Sequence, residues 1–228
     1  MQNLKTAIRA GLCAAALATA MPALAATPRE LLTQAAFQTT DKAAALALVN
    51  QALAAAHAQL AANPRDREAQ MQRGVGIGDR ARLTRSPADA KSARQIFESF
   101  VAANPRDPEA HLAIASWHLD TVESGFLATT MLGAKKDVGL AALDRAVALS
   151  GGRPFFTGFA AMMRIRLNPK DVATALRLAE QAAAAPAPTA LDRIAKRQAQ
   201  AILIPLRAGD GRTAELLARK LLPFGRLS

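Results

Sequence analysis

His57, His111 and His118 are the complete histidine set, and their spacing limits the chemistry this chain can perform. His111 and His118 stand seven apart, which puts them on one helical face but about 10.5 Å apart along the axis, too far to share a metal. No His-Glu-x-x-His or Glu-x-x-His pair occurs, so neither the zinc-protease nor the di-iron helical arrangement is available. Asp120 and Glu123 lie one turn apart and can face the same way. With Trp117 and His118 they form a compact group of chemically capable side chains. A general acid and base must converge in a pocket with displaced pKa values, and two carboxylates on one helix are more simply a hydrated edge. The expectation is that the chain is not an enzyme, with no catalytic residue, no metal and no cofactor. Trp117, His118, Asp120 and Glu123 are the candidate binding residues, the lone Trp giving the kind of platform that anchors interfaces. The competing reading has Trp117 filling a packing gap and His118 satisfying a local hydrogen bond.

Gly74, Gly76 and Gly78 suggest a phosphate loop, but no Gly-Lys-Ser/Thr follows and no strand precedes them. Gly74 and Gly78 share a helical face and suit close approach of a neighbouring helix. Three glycines in five residues also loosen that helix and predict a bend there.

The elements that must position these residues are helical. Hydrophobic residues make up 51% of the 228, yet aromatics only 4% and Tyr is absent. The apolar content is therefore mostly Ala and Leu, strong helix formers and poor strand formers. Thr27-Pro28-Arg29-Glu30 starts one helix, and a break at Thr39-Thr40-Asp41 leads into a second, about residues 42–62, with Leu46, Val49 and Leu53 at helical spacing. Helices are expected from Asp66 to about Leu83 and from Ser86 to Ala103. Another starts near Pro108 and is expected to run on to about Met131, followed by Lys136 to Leu149 before Gly151-Gly152. Beyond these come Arg153 to Leu167, Pro169 to Ala185, Thr189 to about Arg207 and Gly211 to Leu222. Pro205 is expected to kink or shorten its helix.

Asn-Pro-Arg-Asp occurs at Asn63 to Asp66 and again at Asn104 to Asp107, each copy opening a helical segment. The phrase Asn-Pro-x-Asp-x-Glu-Ala, with small and large residues four and three apart on the second helices (Ala93, Phe97, Phe100; Gly139, Leu143, Ala146), resembles the tetratricopeptide repeat. The Gly209-Asp210 turn, with Ala218 and Leu221 beyond it, is similar to the same family's second-helix start. Pro64 and Pro105 are 41 residues apart against a family period of about 34, which places extra residues near Leu83 to Ala88. A third Asn-Pro, at Asn168-Pro169, reads as a turn inside a hairpin. The resemblance covers about 63–104 and 104–150 well and the remainder weakly. It implies an all-α, right-handed superhelical stack of antiparallel helix pairs, a tetratricopeptide-like solenoid over residues 26–228.

Residues 1–25 read as a secretory signal peptide: Lys5 and Arg9, an apolar run from Gly11 to Met21, and Ala23-Leu24-Ala25 as the cleavage site. Cys13, the one cysteine, lies inside it, so the mature chain would carry no disulfide or thiol chemistry. No transmembrane segment is expected after residue 25. The net charge is +11, or +9 without Lys5 and Arg9. Such a charge points first to nucleic acid in a cytoplasmic protein, but export to the periplasm argues against that and toward a solvated basic surface, with anionic envelope surfaces a further contact it allows. The resemblance implies an adaptor or scaffold that takes up a protein or peptide partner in its inner groove. The alternative is a helical small-molecule or lipid-binding component of an envelope transport system, with the apolar Phe155 to Met163 helix as a cavity wall.

Overall fold

A computed structural model describes residues 26–227. The expected signal peptide and Cys13 lie outside the described residues. Among those residues the fold is all-α, with eleven helices and no strand. In chain order they are α1 (Pro28–Phe37), α2 (Lys42–Ala62), α3 (Arg67–Thr84), α4 (Pro87–Ala103), α5 (Pro108–Glu123), α6 (Phe126–Leu132), α7 (Lys136–Leu149), α8 (Pro154–Leu167), α9 (Val172–Ala184), α10 (Ala190–Arg207) and α11 (Gly211–Leu221).

Side-chain caps fix where most of these helices begin. The Thr27 and Glu30 side chains form a reciprocal capping box at α1, and Thr189 with Asp192 repeats it at α10. Asp41, Asp66, Ser86, Asp107 and Asp210 each accept from a backbone N–H in the first turn that follows. The Asn-Pro-Arg-Asp phrase serves both neighbours. Asn63 ends α2 by donating its N–H to the Gln59 carbonyl, its side chain accepts from Arg65 N–H, and Asp66 starts α3. The same turn recurs at Asn104 and, between α8 and α9, at Asn168, whose side chain accepts from Lys170 N–H.

Each helix except the short α6 packs on its successor, α5 passing directly to α7. Helices further apart in the chain also touch: α1 with α3, α3 with α5, α5 with α8, and α8 with α10. Arg29 at the start of α1 bridges Glu68 of α3 and Glu109 of α5, each at 2.6 Å, so both motif glutamates meet one guanidinium. The interfaces are lined by fully buried Ala45, Ala93, Ala115, Ala146, Ala179 and Ala199. Small side chains let helix axes approach closely. Gly74 faces Ile96 and Phe97 of α4, while Gly76 meets Leu53 and Leu32 on the opposite side. α2 is long and apolar enough by length and composition to cross a membrane. Its Ala45, Val49, Ala52 and Leu53 are nevertheless buried in the fold, and Asn50, Gln51, His57 and Gln59 form its exposed side.

Three expectations are corrected. The Trp117 helix stops at Glu123 rather than Met131, because the Ser124 hydroxyl donates back to the Asp120 carbonyl and Gly125 takes φ +106. A separate short helix follows. The longer spacing between the two Asn-Pro-Arg-Asp copies is absorbed into helix length, since only Arg85 and Ser86 separate α3 from α4. α10 spans Ala190–Arg207, close to its expected bounds, and ends two residues after Pro205. α9 begins at Val172, the preceding Pro169 belonging to the turn.

α11 departs from simple succession: it packs on α10 and also on α8. Gly211 lets α11 start against the turn that follows α8, because a Cβ there would run into the Pro169 carbonyl and Val172. Gly211→Ala should lower the unfolding free energy measured by urea denaturation by about 1–3 kcal/mol, the usual cost of overpacking against backbone. Gly209→Ala, where no side chain is near but φ is +72, should cost about 1 kcal/mol for the left-handed conformation alone.

Candidate functional site

Charged side chains from α3, α5, α8 and α11 converge on one seam. α8 is the most apolar of these helices, burying Phe159, Met162, Met163 and Ile165, and Arg166 continues that stretch at 5% exposure. A guanidinium in that position needs a carboxylate, since an unpaired buried charge is costly. Asp120 of α5 provides it at 2.6 Å and also accepts from Arg82 of α3 at 3.2 Å. One helical turn on, Glu123 binds Arg219 of α11 at 2.7 Å. Arg219 in turn binds Glu215 at 2.9 Å and donates to the Arg166 carbonyl at 3.3 Å. Arg212 completes the grip on Glu215.

The seam continues into the chain's end. Beyond α11 the backbone turns at Phe224, φ +58, and Phe224 N–H donates to the Ala36 carbonyl of α1 at 2.8 Å. The Phe224 ring enters the cluster of Leu32, Ala35, Val49, Leu53 and Leu83, with the Arg82 guanidinium 5.7 Å over its face. The C-terminal segment thus lies against α8, reaches α5 through an ion pair, and closes on the first helix.

Asp79, one turn before Arg82, is the uncommon carboxyl of the group. It keeps some solvent contact but is crowded by protein. Burial pushes it up to about 7, against the pull of Arg82 and with help from the Asp120 charge. For Asp120 burial also works upward, but Arg82 and Arg166 outweigh it and hold that carboxyl below its ordinary range. Glu215 follows Asp120: burial is overcome by Arg219 and Arg212, and the carboxyl is lowered. Two acids on facing helices are thereby separated, one ionised and one protonated up to neutral pH.

The four residues nominated from sequence do not converge on one place. Trp117 is buried against α4, its Nε1–H donating to the Ala90 carbonyl at 2.8 Å and Arg94 lying 5.1 Å over its ring. His118 is 3% exposed, edge-on to Trp117, and its Nδ1 accepts from Lys135 N–H at 3.1 Å. Burial lowers the His118 pKa, Arg94 and Lys135 adding to the effect and Glu98 and Asp137 opposing it. The neutral ring that accepts from Lys135 suits this role. Asp120 and Glu123 leave α5 on the other side, in the charged seam. The sequence reading missed Asp79, Arg82, Arg166, Glu215 and Arg219. An arginine at the end of an apolar run, Met162-Met163-Arg164-Ile165-Arg166, was the available signal.

Among the described residues no group of three or more His, Cys, Asp or Glu side chains could hold a metal. A separate open hollow of about 350 Å³ lies between α2, α3 and α4, lined by Leu60, Gln70, Arg73, Ile96 and Phe100. It has no contact with the seam. No family model, no curated protein and no solved structure matches the chain.

Folded Asp79 holds its proton up to about pH 7, whereas the unfolded carboxyl releases it near 4. Its contribution to stability is therefore present in acid and lost as the pH rises from about 4 to about 7. Asp79→Asn should be more stable than the parent by about 1–2 kcal/mol above pH 7.5 and lose that advantage by about pH 4, after discounting for solvent contact. His118 acts oppositely, its lowered pKa costing stability as the pH falls through its ordinary range. Only the difference between Asp79→Asn and the parent, followed by urea unfolding across pH, isolates Asp79. Asp120→Ala strands Arg166 and should cost about 3 kcal/mol by the same assay. Glu123→Ala, which releases only the half-exposed Arg219, should cost about 1 kcal/mol or less.

Proposed function

We propose that the chain is an exported, non-catalytic adaptor of tetratricopeptide-like architecture, taking up a protein or peptide partner on the side formed by α1, α3, α5 and α8. The observation that supports this reading is the order of packing. First members of successive pairs touch one another in sequence while α2, α4, α7 and α9 stand as their second members. A helix pair cannot bury both its faces alone, so such pairs stack, and the stack bends into a receiving surface. A right-handed superhelix is the form this stacking takes in the family the sequence resembles. Periplasmic localisation follows, in this reading, from the signal-like residues 1–25.

The seam shapes how a partner would be received. α11 and Phe224 cover part of the proposed face. A partner segment bearing an arginine could replace Arg219 at Glu123, and an apolar side chain could replace Phe224. Binding would then be a competition between partner and the chain's own end.

A photo-crosslinking amino acid placed at Arg82, on this face, and at Asn50, on the exposed side of α2, tests the reading in intact cells. The expected result is an adduct with a second polypeptide in the envelope fraction at position 82 alone, its yield rising when Arg219→Ala loosens the covering helix. Equal capture at both positions, or none at position 82 with or without that change, would rule the adaptor out.

A further inference from the structure

α6 is the part of the molecule that neither the seam nor the repeat pattern requires. It interrupts the third helix pair, set off by Gly125 at φ +106 and Gly133 at φ +67. One side is anchored: Thr129 Oγ1 donates to the Thr121 carbonyl of α5 at 3.4 Å, and Arg94 of α4 donates to the Leu132 carbonyl at 3.1 Å. The other side presents Phe126 at 86% exposure, Leu127 at 76% and Met131 at 52%. Three large apolar side chains on one short, tethered helix are thus directed into water, where exposed apolar groups on a soluble surface are usually scattered singly.

We propose that α6 is a wedge that docks the protein on an anionic lipid bilayer, Phe126, Leu127 and Met131 entering the boundary between headgroups and acyl chains. Charge selects this occupant. No Asp or Glu occurs from Ser124 to Lys136. The carboxylates at its borders, Glu123 and Glu98, are paired with Arg219 and Arg94. Lys135 and Lys136 follow directly and are exposed, with Lys91 one turn before Arg94 on the helix that α6 touches. Asp137 is the opposing charge beside them. The area argues against a second copy of the chain, because three side chains offer roughly 500 Å², below the ~800 Å² per partner of a standard stable interface. Interfacial docking needs only a few inserted apolar groups with cations beside them. The proposal is independent of the adaptor reading, since Phe126, Leu127 and Met131 belong to none of the helices α1, α3, α5 and α8.

The test uses the chain from Ala26 onward, which contains every described element, sedimented with vesicles of phosphatidylcholine alone or mixed with phosphatidylglycerol. The expected result is binding to the mixed vesicles that weakens with salt and falls about tenfold or more in F126S/L127S. K135E/K136E should weaken binding to the mixed vesicles while leaving the residual affinity for neutral ones unchanged. Because all four side chains are exposed, both variants should keep the parent's thermal midpoint, which confirms that they fold. The proposal is overturned if the parent fails to bind the mixed vesicles, or if F126S/L127S binds them as the parent does. It is equally overturned if light scattering finds a dimer that F126S/L127S dissociates.

Discussion

Arg166 brings a positive charge to the end of the most apolar stretch of α8, and the surrounding polar architecture accommodates it. Asp120 neutralises it from α5, Arg82 shares that carboxylate from α3, and Arg219 caps the Arg166 backbone from α11. A buried pair of this kind adds little net stability over a hydrophobic replacement. It does restrict which helices can meet, because each charge must find its partner. The arrangement links four helices, α3, α5, α8 and α11, and gives α11 a defined seat that apolar packing alone would leave less specific.

Asp79 shows what such crowding does to a group without a dedicated partner. It shares the neighbourhood of Asp120 but has no arginine to itself, so burial rather than pairing governs its titration. The contrast between two aspartates in one seam is set by which has a guanidinium within hydrogen-bonding reach, a distinction of side-chain placement rather than of residue type.

Helix boundaries were legible in the sequence because they are local. Thr27, Asp41, Asp66, Ser86 and Thr189 act within their own first turn, and periodic Ala and Leu do the rest. The overextended Trp117 helix failed locally too: Gly125 was present, but its positive φ competes with apolar periodicity that continues through Phe126 and Leu127. The seam was not legible, because Asp79, Asp120, Arg166 and Arg219 are far apart in the chain and only tertiary packing brings them together. Trp117 and His118 were visible as unusual residues, yet spacing could not tell that α4 and the Lys135 backbone would enclose them. The three Asn-Pro turns look alike in sequence and are alike in structure, joining α2 to α3, α4 to α5 and α8 to α9. The turn encodes a stop and a restart of the helix and carries no information about which helices pack beyond it.

In an array whose members contact only their neighbours, the terminal members are held on one side and peel away first. Here the hydrogen bond from Phe224 to Ala36, and the ring inserted beside Leu32, fasten the last element to the first. The described chain is therefore closer to a clasped bracelet than to an open string. Loss of either end removes support from both, so fraying at one terminus propagates to the other, and heating should melt the molecule as one cooperative body instead of unravelling it pair by pair.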